Sequence, residues 1–376
     1  MNEPITFIDL QAQRARLGAK LEAAICEAVE SGQWILGPAV SEFEQKLAQF
    51  AGVKHAVACA NGTDALLLIL RAWNIGPGHA VFVPAFTFAA TAEVVVLAGA
   101  TPVFVDVLPD TFNIDPASLE AAIAMVRRAG GLGPKAVIPV DLFGQPADYR
   151  KLLPIAAAHG LKLLCDCAQS FGAVLDQRST VTFGDAAGTS FFPAKPLGCY
   201  GDGGACFTND DELAAVLRSL RVHGQGSDAY EHVRVGMNSR LDTIQAAILI
   251  QKLSIFPDEI EVRGRIARRF NTALGQNETI RVPQLVTGAR SVWAQYTIQV
   301  GGDRAKLQSD LKDRGIPSRV YYPTPLPQQA AYAGYPSVPV PVAIRLAGEV
   351  LSLPMHPYLS ELDQQRIIDG VLRSLA

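Results

Sequence analysis

Apolar residues fall along this chain in two alternating rhythms. Leu17, Leu21, Ile25 and Val29 recur at the spacing of one helix face, which predicts a helix over 11–31 closed by Gly32, after an extended arm over 1–10. A second helix is predicted over 40–50. From there short apolar runs take over: 55–60, then AVFVPA at 80–85, PVFVDV at 102–107, KAVIPVDL at 135–142, LKLLCD at 161–166, AAGTSFF at 186–192 and GACFT at 204–208. Each is too short for a helix and reads as a buried strand. Helical patterns fall between them at 64–73, 89–99, 116–129 and 148–159, with another at 211–223. Seven near-continuous apolar strands alternating with helices predict an α/β fold, with a mostly parallel sheet covered on both faces.

Beyond the last strand the pattern shifts. The segment 224–231 is polar and loop-like, and a long helical stretch follows over 241–274, with an interruption expected at Pro257. WAQYTIQV at 293–300 alternates as a strand, 304–314 is helical, and 321–341 is rich in proline. This change predicts a large domain over 1–250 and a smaller C-terminal α+β domain over 251–376, divided within the long helix.

Composition narrows the function classes. The chain has 376 residues, 49% hydrophobic and 18% charged, with a net charge of −3 and no basic run. That argues against nucleic acid as the principal partner. No apolar run is long enough for a bilayer, and the opening MNEPITFIDL does not resemble a signal peptide, so a cytoplasmic protein without a membrane partner is expected. Six cysteines include no CxxC pair. Cys165 and Cys167 face one side of a strand without further ligands nearby, so reduced thiols and no metal site are expected.

The chemistry concentrates at 189–209, TSFFPAKPLGCYGDGGACFTN. Lys195 lies among Phe191, Phe192, Ala194 and Leu197, surroundings that desolvate its amine, lower its pKa and suit it to Schiff-base chemistry. Its glycines follow the lysine, whereas a phosphate-binding Walker loop has them before it. Upstream, Asp166 ends an apolar strand, where ligands of open α/β sheets bind. A lysine able to form a Schiff base and a carboxylate able to pair with a protonated pyridine nitrogen are the minimal protein equipment for pyridoxal phosphate (PLP). A helix N-cap is the plainer alternative for Asp166. Asn61, Gly62 and Thr63 open a helix, which makes either an anion site or a simple cap.

SFFPAKPLGCYGDGGACFTNDDELA, WILGPAVSEFE at 34–44, ANGTDAL at 60–66, PAFTFAATAE at 84–93, DCAQSFGA at 166–173 and GMNSRLDTIQAAIL at 236–249 together resemble the DegT/DnrJ/EryC1/StrS family of PLP-dependent nucleotide-sugar aminotransferases. The resemblance covers nearly the whole chain. It implies the fold type I architecture of PLP enzymes, a homodimer with shared active sites, and PLP held on Lys195 as an internal aldimine, with pyridoxamine phosphate as the intermediate form. It implies that Asp166 meets the pyridine nitrogen, that Phe88 stacks on the ring and that Gln169 meets its 3-oxygen. Gly62, Thr63, Ser190 and the partner subunit's Asn238 would hold the phosphate. Within the family the likeness is to enzymes that aminate C3 of a UDP-linked 3-oxo-N-acetylglucosaminuronic acid for surface polysaccharide, with glutamate as donor.

A sugar carboxylate calls for a guanidinium, and Arg240 is the candidate, its alternative being an ion pair with Asp242. Tyr321 and Tyr322 precede Pro323 where many relatives carry His-Tyr-Pro; both are candidate substrate contacts, and Tyr321 is a departure. Without the family, Ser190 reads as a strand-end hydroxyl and Asn238 as a turn residue. Three further readings remain: a dTDP-linked 3-oxo-6-deoxyhexose as substrate, a sugar dehydratase on the same scaffold, and a regulatory protein. Lys195 speaks against the dehydratase, whose family relatives carry histidine there. The absence of a helix-turn-helix or basic arm speaks against the regulator. His223 and His356 receive no role.

Overall fold

The computed structural model describes residues 5–228 and 230–375, so part of the expected arm and one position of the 224–231 loop lie outside the described residues. Seven strands build the central sheet: β1 (His55–Cys59), β2 (His79–Pro84), β3 (Thr101–Val105), β4 (Gly133–Val137), β5 (Lys162–Asp166), β6 (Ala186–Ser190) and β7 (Gly204–Thr208). Their order across the sheet is β1-β7-β6-β5-β4-β2-β3. All pairings are parallel except those of β7, which runs antiparallel to β6 and β1. The mostly parallel α/β sheet expected from the apolar runs is present.

Among the described residues there are twelve α-helices: α1 (Leu10–Leu17), α2 (Ala19–Glu30), α3 (Pro38–Ala51), α4 (Gly62–Ala72), α5 (Ala90–Leu97), α6 (Pro116–Ala129), α7 (Tyr149–His159), α8 (Asp211–Leu220), α9 (Thr243–Leu274), α10 (Arg304–Asp313), α11 (Pro341–Glu349) and α12 (Glu361–Leu375). The two-residue rhythm of the strands sends neighbours to opposite faces. Leu163 joins Phe43, Leu119 and Phe256 on one face, while Leu164 joins Leu66, Val94 and Leu217 on the other. A third core gathers Phe270 of α9, Leu311 and Val371 around Tyr296 and Ile298. The latter two belong to an antiparallel sheet of β8 (Ile280–Arg281), β9 (Tyr296–Val300) and β10 (Val350–Leu353).

Local chemistry redraws two expected elements. The helix expected over 11–31 is two helices, because Gly18 takes a φ of +53° and its amide closes on the Arg14 carbonyl. The interruption expected at Pro257 does not occur: α9 runs from 243 to 274 with proline inside. Leu253, Phe256 and Ile260 are buried on both sides of it, and their packing holds the helix through the one backbone hydrogen bond a proline removes. Among the described residues, no helix is long and apolar enough to cross a membrane, and no group of three or more His, Cys, Asp or Glu side chains could hold a metal.

Candidate active site

Parallel pairing sets Asp166 opposite Gly188, so β5 and β6 end side by side at the carboxyl edge of the sheet. Asp166 finishes β5 and Ser190 finishes β6. The chain then turns, with the Lys195 amide donating to the Phe192 carbonyl at 2.8 Å. Lys195 is half-buried, and its Nζ makes no hydrogen bond among the described residues. Burial lowers the pKa of its amine, and the Asp166 carboxylate opposes that shift.

Asp166 is buried. Its Oδ2 accepts from the Thr91 hydroxyl at 2.9 Å and its Oδ1 from the Ala168 amide at 3.1 Å. Burial raises its pKa, while these two hydrogen bonds and the Lys195 charge pull the other way. The residues after Asp166 form turns and no helix, so its side chain braces a turn and is no helix cap. Gln169 lies on that turn with both ends of its amide engaged. Oε1 accepts from the Phe143 amide at 2.7 Å, and Nε2 donates to the Tyr322 hydroxyl at 3.2 Å. The Tyr322 ring is 6.1 Å from that of Phe86 and 6.3 Å from that of Phe88. Phe86 is buried, whereas Phe88 is 57% exposed.

The first turn of α4 closes the arrangement. Asn61 caps the helix by accepting from the Asp64 amide at 2.8 Å. The Gly62 and Thr63 amides are left without partners among the described residues, and a helix N-terminus so placed favours an anion. A Cβ added at Gly62 would stand 2.6 Å from Ser190 Cβ, so only glycine lets α4 reach the end of β6. The result is a cradle of open amides and a hydroxyl for a phosphate. Beside it are a buried carboxylate for a cationic ring nitrogen and a lysine amine of lowered pKa for a carbonyl. These residues fit PLP.

Two expected residues have no hydrogen bond or ion pair to this cluster among the described residues, although Ser239 between them accepts from the Ala60 amide at 3.3 Å. Asn238 is exposed, its backbone bridged to Val222, and no hydrogen bond joins it to Lys195 among the described residues. Arg240 is half-buried and makes no ion pair with Asp242 or with any other acid among the described residues. Tyr321 packs at 6.4 Å against Phe7 of the N-terminal arm and at 5.9 Å against Tyr322. His223 offers its backbone carbonyl to His232 Nδ1 at 3.0 Å, and His356 is buried with Nε2 3.4 Å from Thr6 Oγ1. Sequence reasoning missed Thr91 and Phe143. Thr91 stands inside the PAFTFAATAE motif, whose aromatic residues drew the attention.

The family model described as the DegT/DnrJ/EryC1/StrS aminotransferase family matches residues 16–372. The chain is 48% identical over 355 residues to a UDP-2-acetamido-2-deoxy-3-oxo-D-glucuronate aminotransferase of Pseudomonas aeruginosa, covering 94% of this chain and 96% of that protein. The crystal structure of a DegT DnrJ EryC1 StrS aminotransferase from Brucella abortus superposes with a TM-score of 0.96 at 56% identity, over 98% of this chain and 99% of that one. S. venezuelae DesV, solved in complex with a ketimine intermediate, gives 0.94 at 37% identity over the full length of both chains. With a site built for PLP at the carboxyl edge of its sheet, the chain belongs to the DegT/DnrJ/EryC1/StrS family and is a PLP-dependent sugar aminotransferase.

Proposed function

We propose that this enzyme transfers the amino group of L-glutamate to C3 of UDP-2-acetamido-2-deoxy-3-oxo-glucuronate, in the cytoplasm, for bacterial surface polysaccharide. The carrying observation is Arg240, a half-buried guanidinium without an acid partner among the described residues, available for the sugar's C6 carboxylate. The likeness to the Pseudomonas enzyme supports the same substrate.

PLP, when bound, supplies an electron sink for the carbon that loses its proton. The Gly62 and Thr63 amides and the Ser190 hydroxyl would hold the phosphate, joined by Asn238 of the partner subunit. Asp166 holds the proton on the ring nitrogen. Gln169 directs its remaining Nε2 hydrogen to the ring's 3-oxygen, since Phe143 already occupies Oε1. Phe88 would cover the ring face and exclude water. Lys195 would hold the cofactor's carbonyl carbon through its amine, and the lowered pKa of that amine suits it to hold and move a proton at the donor's Cα. Tyr321 and Tyr322 border the sugar.

The shared site requires a homodimer. The exposed Trp34, Phe88, Tyr230 and Val235 give apolar surface for a second copy, and Asn238 is exposed in the single chain. The same reading divides the chain near residue 250, since α9 packs on the main sheet with Leu249 and on the third core with Phe270.

The test is a panel of UDP- and dTDP-linked 3-oxo sugars with glutamate, following 2-oxoglutarate, on protein shown to be a dimer by sedimentation. The UDP-linked uronate should be far preferred. Arg240→Leu should lower kcat/KM for it by roughly 2–5 kcal/mol, the cost of leaving a buried charge unpaired, and barely affect a 6-deoxy sugar. Preference for the 6-deoxy sugar, or an equal penalty on both, would exclude the uronate; an active monomer would exclude shared sites.

A further inference from the structure

Two threonines behind Asp166 form a hydrogen-bonded chain that ends on its carboxylate. Thr87 and Thr91 are both buried, one helical turn apart where α5 begins. Their hydroxyl oxygens lie 3.3 Å apart, and Thr91 Oγ1 is 2.9 Å from Asp166 Oδ2. An ionised carboxylate only accepts, so the Thr91 proton points to Asp166. That leaves Thr91 Oγ1 as the acceptor and Thr87 as the donor in the other bond. The two bonds run in one sense and polarise each other toward the carboxylate.

We propose that Thr91, backed by Thr87, is a positioning residue that keeps Asp166 ionised and aimed at the ring nitrogen of PLP. The inference rests on the reading that Asp166 meets that nitrogen. The need is physical. Asp166 is buried, and burial favours its neutral form. Among the charged and titratable groups around it, Lys195 is the cation, and the chemistry requires that amine to lose its charge. Tyr322 also feels the Asp166 charge but is itself pushed to higher pKa, so it offers no compensation. When Lys195 is neutral, the Thr91 hydroxyl and the Ala168 amide are the donors left to hold the anion before the ring's own N–H arrives. The bond also takes one lone pair of Oδ2, which restricts the direction from which a ring N–H approaches.

The experiment compares the full-length holoenzyme with Thr91→Val, Thr91→Ser, Thr87→Val and Asp166→Asn. PLP affinity is measured by equilibrium dialysis across pH 4.5–8.5, and the bound-cofactor absorption is recorded at each pH. Valine keeps the volume of threonine and removes the donor. Thr91→Val should weaken PLP binding roughly ten- to hundredfold, the effect of one hydrogen bond to a buried charge. It should also move the acid limb of binding upward by roughly one pH unit, because Asp166 then takes a proton more readily. Thr91→Ser should remain near wild type, and Thr87→Val should show the same changes at smaller size. PLP's own titrations are common to all variants and cancel in the comparison. If Asp166→Asn weakens binding and flattens the acid limb while Thr91→Val leaves both unchanged, the role of Thr91 is overturned and that of Asp166 stands. If Asp166→Asn itself changes neither, the assignment of Asp166 falls first. A Thr91→Ser variant as impaired as Thr91→Val would also overturn the proposal, since serine restores the donor.

Discussion

The buried polar cluster around Asp166 differs from another, where α9 meets residues 355–358. In the second, both Glu259 oxygens accept from Gln13 Nε2, at 3.1 and 3.0 Å, and Oε1 also accepts from the Tyr358 hydroxyl. Arg263 donates to the Trp293 and Met355 carbonyls at 3.2 and 3.0 Å, and burial lowers its pKa to about 10. That cluster ties α1, α9 and the C-terminal segment together from inside. Around Asp166 the groups are left open: among the described residues the Lys195 amine has no hydrogen bond and the Gly62 and Thr63 amides have no partner, and Phe88 is exposed beside Tyr322. Desolvation perturbs both clusters. In the joint the Glu259 carboxylate is answered by the protein, while Arg263 Nε and His356 Nδ1 are buried without a partner; around Asp166 the open groups are those that a cofactor's phosphate, ring and carbonyl would meet. His356 lies near enough to Arg263 to feel its charge and is placed with the joint.

The sharpest way to break this contrast is Lys195→Ala. Turnover should be abolished while thermal unfolding of the protein without cofactor stays within about 1 kcal/mol of wild type, as expected for a group that makes no internal hydrogen bond. Measurable turnover, or a large loss of stability, would make Lys195 part of a structural joint. Asp166→Asn comes next. It should slow transamination by roughly three orders of magnitude, about 4 kcal/mol of barrier. Near-normal kcat would reduce Asp166 to a brace for its turn.

The smallest effect is in stability against pH. Asp141, fully buried, accepts from the Ala147 amide at 2.7 Å, Tyr149 at 2.8 Å and Ser170 at 2.7 Å, on the far side of the Gln169 turn. Burial raises its pKa to about 6. His356 moves the other way: burial, then the Arg263 charge, lower its pKa to about 4. A raised carboxyl contributes stability that is present below its unfolded value near 3.8 and lost as pH rises through about 6. A depressed histidine contributes stability that is present above 6.5 and lost as pH falls toward 4. Each is worth roughly 3 kcal/mol, and the two slopes oppose each other between pH 4 and 6.5. Denaturant unfolding at several pH values should show Asp141→Asn gaining stability relative to wild type as pH rises through this window, and His356→Gln losing it. Both variants running parallel to wild type would mean that neither group is held in its neutral form.

The strands were legible because each lies in a short apolar run set between helical patterns. Lys195 and Asp166 were legible because a charged group set in such a run needs a chemical reason. The division of the first helix hangs on one dihedral at Gly18, and the continuity of α9 through Pro257 on packing partners from other elements; neither has a periodicity to read. Thr91 escaped for a related reason. Its partner lies 75 positions away, and a threonine at the start of a helix has many local uses. Likewise, nothing local to NSRLD distinguishes a guanidinium paired with Asp242 from one left free; the folded chain leaves it free.

One other lysine shares the buried, pKa-lowered character of Lys195. Lys252 is fully buried and shifted by burial to about 8, but its amine donates to the Gly198 carbonyl at 2.6 Å and lies 4.1 Å from the centre of the Tyr200 ring. It is an answered group beside an open one. Borohydride reduction of the holoenzyme followed by peptide mapping therefore tests the account directly. The cofactor should be fixed to Lys195 alone; label on Lys252, or on any other lysine, would contradict it.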